Sequence, residues 1–160
     1  MNAIRWETNV LNGVVDLEFD RKDIEANKLL VTTLEQRLRV FDTRTLHPTE
    51  GYANVTEKAH KSTVWVGRHL PQNRDVFITC GGNGSVSLWQ YKYPTARSKK
   101  GEDGVMHGVA GTLVELNDKP IAQQPIVSWD WHQDKMGVAC LCALDQTVKV
   151  ALVTKLQNLQ

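Results

Sequence analysis

Four groups of residues in this 160-residue sequence have types and spacings that could carry chemistry. Cys140-Leu141-Cys142 puts two thiols on one face of an extended segment, with His132 and Asp134 shortly upstream. A metal site wants four ligands at compatible geometry, and no second Cys or His pair is available; buried thiols in a sheet are the commoner use of such a pair. His60 could serve as a catalytic base, with Thr63 as nucleophile and Asp75 as orienting acid. Nothing in that spacing compels catalysis, and a structural, hydrogen-bonded histidine is the competing reading. Gly81-Gly82-Asn83-Gly84 invites comparison with a phosphate loop. It lacks the Lys-Ser/Thr ending, and a strand follows where a helix is needed to aim amides at phosphate, so a hairpin turn needing positive φ is expected. Arg97-Ser98-Lys99-Lys100, followed by Glu102-Asp103, is the densest basic patch. Arg97, Lys99 and Lys100 could dock an acidic segment of a partner protein or lie in a solvated loop.

The elements that must position these residues are strands. Apolar residues recur mostly with a period of two, as in Val15-Asp16-Leu17-Glu18-Phe19, Leu38-Arg39-Val40-Phe41, Val86-Ser87-Leu88-Trp89 and Val148-Lys149-Val150. That alternation puts one face on a core and the other toward water or a neighbouring sheet. The chain is predicted to be all-β. Strands are expected at 14–19, 29–33, 38–42 and 52–56; at 64–69, 76–80, 85–90 and 112–116; and at 126–131, 137–143 and 147–153. A short helical turn within 21–30 is the one helical expectation, and 91–108, rich in Gly, Lys, Ser and Pro, reads as a surface loop. Glu35, Asn83 and Asp145 stand at equivalent turns before the third strand of each unit. Four strands every ~40–45 residues is the period of a β-propeller blade. Trp129 and Trp131 share a face of one strand, so both belong to the core or both meet a partner.

Bulk properties remove several function classes. Net charge is +1, with 41% hydrophobic and 23% charged residues. Such a balance excludes a disordered chain and gives no long-range attraction for nucleic acid. The longest apolar runs, such as Met136 to Leu144, fall short of the ~20 residues of a membrane-spanning helix. No secretory signal is read at the N-terminus, and three cysteines are too few for a disulfide scaffold, so cytoplasm is the expected compartment.

Two kinds of string carry a family resemblance. Leu88-Trp89-Gln90 after Gly82-Asn83-Gly84-Ser85-Val86-Ser87 looks like the end of a WD repeat, with Gln90 where Asp is usual, and Ala59-His60 resembles the Gly-His pair that opens one. The family's hydrogen-bond tetrad falls on Trp89, Thr79, His60 and Asn83, with the turn residue accepting from the imidazole. The flanking units depart from it. The first has Glu35 and Phe41 but Val31 at the hydroxyl position; the third keeps Asp145 but has Leu141 and Ala151. Longer strings sharpen the resemblance. Arg5-Trp6-Glu7-Thr8-Asn9, Leu17-Glu18-Phe19-Asp20-Arg21-Lys22-Asp23-Ile24, Glu57-Lys58-Ala59-His60-Lys61-Ser62-Thr63-Val64-Trp65, Arg68-His69-Leu70-Pro71-Gln72-Asn73-Arg74 and Asp145-Gln146-Thr147-Val148-Lys149-Val150 closely resemble the C-terminal portion of a WD-repeat family of axonemal dynein assembly factors.

This resemblance implies a fold and a role. The fold is a partial WD40 β-propeller of about three consecutive four-stranded antiparallel blades, near 9–57, 58–117 and 118–155, with the ring not closed and the third blade short of its fourth strand. Residues 1–8 would be the outer strand of a missing preceding blade. Unpaired sheet edges should leave such an arc marginally stable. The implied role is a non-enzymatic cytoplasmic adaptor without a cofactor. Its partners would be a co-chaperone complex with TPR and AAA+ subunits, prefoldin-like subunits and dynein heavy chains, with a link to apoptosis also recorded for the family. Neither nucleic acid nor membrane is expected as a partner. The rival reading is an enzyme on a β-scaffold using His60 or Cys140/Cys142.

Overall fold

A computed structural model describes residues 6–21, 23, 25–102 and 104–159. Strands β1 (Val14–Phe19), β2 (Lys28–Thr33), β3 (Arg37–His47) and β4 (Gly51–Lys58) pair antiparallel in chain order as a first sheet. Next come β5 (Val64–Leu70), β6 (Asn73–Gly81) and β7 (Ser85–Lys92), a small hairpin of β8 (Ser98–Lys100) and β9 (Met106–Gly108), and β10 (Thr112–Pro120). β10 returns to pair with β7, so the second sheet runs β10-β7-β6-β5. β11 (Ile126–Trp131), β12 (Val138–Ala143) and β13 (Thr147–Leu152) form the third, three-stranded sheet. One 3-10 turn, Leu156–Asn158, follows, and no α-helix occurs among the described residues.

The sheets repeat one design at residue level. Leu17 pairs with Val31 and Val31 with Arg39; Gly67 with Thr79 and Thr79 with Ser87; Trp129 with Leu141 and Leu141 with Lys149. In each sheet the hairpin between the second and third strands turns through one left-handed residue: Gln36 (φ 71), Gly84 (φ 76) and Gln146 (φ 67). Sharing that backbone state fixes the same register three times, because loop geometry sets which residues face each other.

The core lies between the sheets. Leu30, Leu38 and Val40 of the first sheet pack on Val64, Phe77, Trp89 and Tyr91 of the second. The opposite face of the second sheet, with Val66, Val76, Ile78 and Cys80, packs on Trp129, Trp131, Ala139 and Leu141 of the third. Period-two alternation thus lets the second sheet bury both faces, and its inner strand β5 lies against both β1 and β11. Trp129 and Trp131 are core residues, edge to face with centroids 5.1 Å apart.

Two sequence expectations need revision. The stretch 91–108 is not only a loop. It contains the β8–β9 hairpin, closed by Gly101 N–H to the Val105 carbonyl (2.8 Å) and reversed at Gly104 (φ +77). No helical turn forms among the described residues of 21–30. Asp20 closes that connection instead, its N–H bonding the Lys28 carbonyl (3.1 Å) and its carboxylate accepting the Asn27 N–H (2.9 Å), so β2 begins at Lys28. Of the expected outer strand at 1–8, residues 1–5 lie outside the described residues and 6–8 carry no strand. Trp6 packs edge-on against Phe41 (5.2 Å) and Tyr52 (5.0 Å).

Candidate functional site

The most organised polar constellation is buried in the second sheet. Trp89 Nε1–H donates to Thr79 Oγ1 (3.0 Å), and Thr79 Oγ1 lies 2.9 Å from His60 Nε2. On the other side of the ring, Nδ1 lies 3.0 Å from Ser85 Oγ, which donates to Asn83 Oδ1 (3.1 Å). So Ser85, a residue outside the sequence-predicted set, stands between the imidazole and Asn83. The direction of every bond follows. An amide oxygen can only accept, so the Ser85 proton goes to Asn83, and Ser85 takes the Nδ1 proton. Neutral His60 then has a bare Nε2, which accepts from Thr79, leaving the Thr79 oxygen to accept from Trp89. Each hydroxyl both donates and accepts, an ordered chain in which neighbouring bonds strengthen one another. Burial pushes the His60 pKa below its ordinary value, against the pull of the Asp118 charge, which agrees with a neutral ring.

Local sequence explains how these groups meet. Strand alternation puts Thr79 opposite Ser87 and Phe77 opposite Trp89 on one face, and the turn at Gly84 brings Asn83 and Ser85 under His60. At Gly81 a Cβ would press into the Asn83 side chain and the His60 ring. That close approach, rather than phosphate binding, accounts for this glycine.

The nominated catalytic partners are not brought to His60. Thr63 donates to the Leu34 carbonyl (3.1 Å) across to the first sheet, and Asp75 accepts from Lys28 Nζ (2.6 Å) and the Tyr93 hydroxyl (3.0 Å). With His60 95% buried and both ring nitrogens engaged by hydroxyls, no proton position is left for a substrate. Cys140 and Cys142 do share a face of β12, but the expectation of buried thiols fails for them. Cys140 is exposed and Cys142 half-buried, since no sheet among the described residues covers that face; of the three thiols only that of Cys80 is buried, and burial pushes its pKa up. His132 Nδ1 instead accepts from the Asp134 (3.1 Å) and Lys135 (3.2 Å) N–H groups of its own turn, and no group of three or more metal-ligating side chains occurs among the described residues. Lys99 and Lys100 project from β8 into solvent, and the Arg97 guanidinium lies over the Tyr93 ring at 5.8 Å.

Sequence reasoning missed the charged groups between the first two sheets. Lys28 is fully buried, bridging Asp20 (3.1 Å) and Asp75 (2.6 Å), hydrogen-bonding Tyr93 (2.7 Å), and lying 5.2 and 4.9 Å from the Tyr91 and Tyr93 ring centroids. Burial would lower the ammonium pKa, but the bonds to Asp75 and Tyr93 outweigh it and raise the value. Asp20 also accepts from Arg74 (2.9 Å). Burial would raise its carboxyl, yet Arg74, the Asn27 N–H and Lys28 bring it down to about 2. Along the inner strands, Asp16 pairs with Arg68 and accepts the Gly67 N–H (3.2 Å), and Glu18 accepts the His69 N–H (2.7 Å). A usable signal existed: alternation puts Lys28 on the same face as Leu30 and Thr32.

The architecture is therefore a row of antiparallel sheets joined face to face, with its polar groups spent on positioning. No protein-family model matches the chain. It is 58% identical over 157 residues to the Xenopus laevis protein named Dynein axonemal assembly factor 10, covering 98% of this chain and 44% of the relative. The Chlamydomonas reinhardtii protein of the same name is 50% identical over 159 residues, covering 99% of this chain and 44% of the relative. The chain thus spans less than half the length of the curated relatives it matches. Among solved structures it is similar to the computationally designed Ika8 protein, with a TM-score of 0.55 at 16% identity over 88% of this chain and 33% of that one. No helix among the described residues is long and apolar enough to cross a membrane.

Proposed function

We propose that the chain is a non-enzymatic protein-interaction module serving the cytoplasmic assembly of axonemal dyneins. The observation that carries this is identity of 58% and 50%, over 98% and 99% of the chain, to two proteins named for that role. In this reading the three sheets are consecutive blades of an unclosed WD-repeat propeller, a view supported by their repeated register and by the left-handed turn residue common to all three. The chain from Trp89 to Asn83 is then a structural tetrad with Ser85 as a fifth member, holding the hairpin of the second blade. Partners would be subunits of a co-chaperone complex with TPR, AAA+ and prefoldin-like members, and dynein heavy chains as clients. The basic hairpin carrying Arg97, Lys99 and Lys100 offers these partners an exposed surface for an acidic segment.

A chimera tests the reading. The Chlamydomonas relative, with its matching segment replaced by this chain, is expressed in cells lacking that relative. Restored axonemal dynein content is expected; a stably expressed chimera that restores none overturns the proposal. In the same background, reversing Arg97, Lys99 and Lys100 to Glu should reduce partner recovery without changing the melting temperature. Unchanged recovery removes that hairpin from the reading.

A further inference from the structure

The dipeptide Asn-Gly occurs twice in the chain, at Asn12-Gly13 and Asn83-Gly84. In such a pair the asparagine side chain is open to attack by the main chain, because the glycine puts no Cβ in the way of its own nitrogen. The structure holds the two copies very differently. Asn83-Gly84 is fastened on both sides. Ser85 (3.1 Å) and Ser62 (3.4 Å) donate to Asn83 Oδ1, and the Gly84 N–H donates to the Gly81 carbonyl (3.1 Å). The Gly84 carbonyl in turn accepts the N–H groups of Ile121 (3.0 Å) and Ala122 (3.0 Å). A peptide carbonyl holds the glycine N–H but is too weak a base to take its proton.

At Asn12-Gly13 the surroundings are different in kind. The pair lies in the irregular segment ahead of β1, next to Leu11, which is 84% exposed and left-handed (φ 63). Gly13 is exposed, and its N–H faces Glu35 Oε1 at 3.5 Å, a carboxylate from the hairpin between β2 and β3. A carboxylate placed there can accept the amide proton. We propose that Asn12 is a site of spontaneous deamidation with Glu35 as the base, while Asn83 is protected by its turn. The Gly13 nitrogen gives its proton to Glu35 and attacks Asn12 Cγ. The new N–C bond closes a succinimide ring as the bond from Cγ to the side-chain nitrogen breaks, and that nitrogen leaves as ammonia, taking the proton back from Glu35. Water then opens either ring carbonyl, giving aspartate or, where the main chain is rerouted through the side chain, isoaspartate. Either product lowers the net charge of +1 by one unit. Isoaspartate also lengthens the backbone just before Gly13, whose carbonyl accepts the Leu34 N–H (2.9 Å) ahead of β1.

Ageing the full 160-residue chain at neutral pH, followed by peptide mass mapping, tests this. The peptide holding Asn12 is expected to gain one mass unit at least ~10-fold faster than the peptide holding Asn83, which must first break its turn bonds. In urea, where neither site is held, the two rates should converge. Glu35→Gln, an exposed substitution that keeps the shape of the side chain but not its basicity, should slow Asn12 by ~10-fold or more and leave Asn83 unchanged. Equal rates at the two sites in the folded chain overturn the proposal. So does a gap that persists undiminished in urea, which assigns it to local sequence rather than to structure. An Asn12 rate unmoved by Glu35→Gln overturns the assignment of Glu35 as the base.

Discussion

Both joints of this molecule bury apolar side chains, but the first adds a polar and charged lattice to them. Between the first and second sheets lies a charged lattice, with Asp16, Glu18 and Asp20 facing Arg68, His69 and Arg74, and Lys28 reaching across to Asp75. Between the second and third, Trp129, Trp131 and Leu141 lie against Val66, Val76 and Ile78. An apolar joint gains stability roughly in proportion to the area removed from water and tolerates small slips. A buried ionic joint gains little net free energy but penalises every misfit, because a displaced partner leaves a desolvated charge. The charged lattice therefore specifies how the first two sheets sit, while apolar contacts supply adhesion at both joints.

Truncation on each side should be comparably severe but for different reasons. Trp129→Ala removes a buried aromatic side chain and should cost about 3–5 kcal/mol, as read from urea midpoints. Lys28→Ala should cost a similar ~3–5 kcal/mol by stranding Asp20 and Asp75, and a loss below ~1 kcal/mol would show that water reaches that site freely.

Acid separates the two joints. Glu18 and Asp20 have folded pKa values below their ordinary 4.5 and 3.8, Asp20 at about 2. For Glu18, burial opposes the shift and the His69 bonds and Arg68 charge win. As pH falls, the unfolded chain takes up these protons first, so the contribution is full above about pH 4.5 and is lost toward pH 2. The penalty of Lys28→Ala should therefore shrink between pH 7 and pH 2.5, whereas that of Trp129→Ala stays constant. Equal pH dependence in the two variants would erase the distinction between joints.

The same contrast explains what could be read from sequence. Strand alternation exposes the apolar joint directly, since a period of two names the buried face of Trp129 and Trp131 without knowledge of the neighbour. The ionic joint is not legible that way, because Asp20, Lys28 and Asp75 belong to different strands and acquire meaning only when two sheets meet. Ser85 escaped for a related reason. A serine beside a glycine turn reads as turn chemistry, and its position between His60 and Asn83 depends on a loop conformation set by Gly84. The β8–β9 hairpin was hidden by its composition, being three residues a side around a Gly-bounded reversal.

Within the second sheet, Ser85→Ala should cost about 1–3 kcal/mol, since it leaves the His60 Nδ1 donor buried without a partner. Asn83→Ala should cost less, because the Ser85 hydroxyl can turn toward other acceptors near the surface. The reverse ranking would mean that Asn83, not Ser85, holds the ring.

The smallest effect comes from Asn83→Asp, which changes an amide to a carboxylate of the same shape. Both Ser85 (3.1 Å) and Ser62 (3.4 Å) donate to this side-chain oxygen, so the new charge should shorten and strengthen those bonds by roughly 0.5–1 kcal/mol. It should also act on the imidazole one bond further away. In the wild type the His60 pKa lies below its ordinary 6.5, so the unfolded chain binds the proton first, and stability present above about pH 6.5 is lost as pH falls below it. A carboxylate at position 83 raises the folded value and flattens that slope. Histidine-resolved NMR titration with urea midpoints at pH 5 and pH 7 measures both effects. If the His60 pKa moves while stability at pH 7 does not, the hydroxyl chain transmits charge but does not carry load, and the apolar joints alone hold the second sheet.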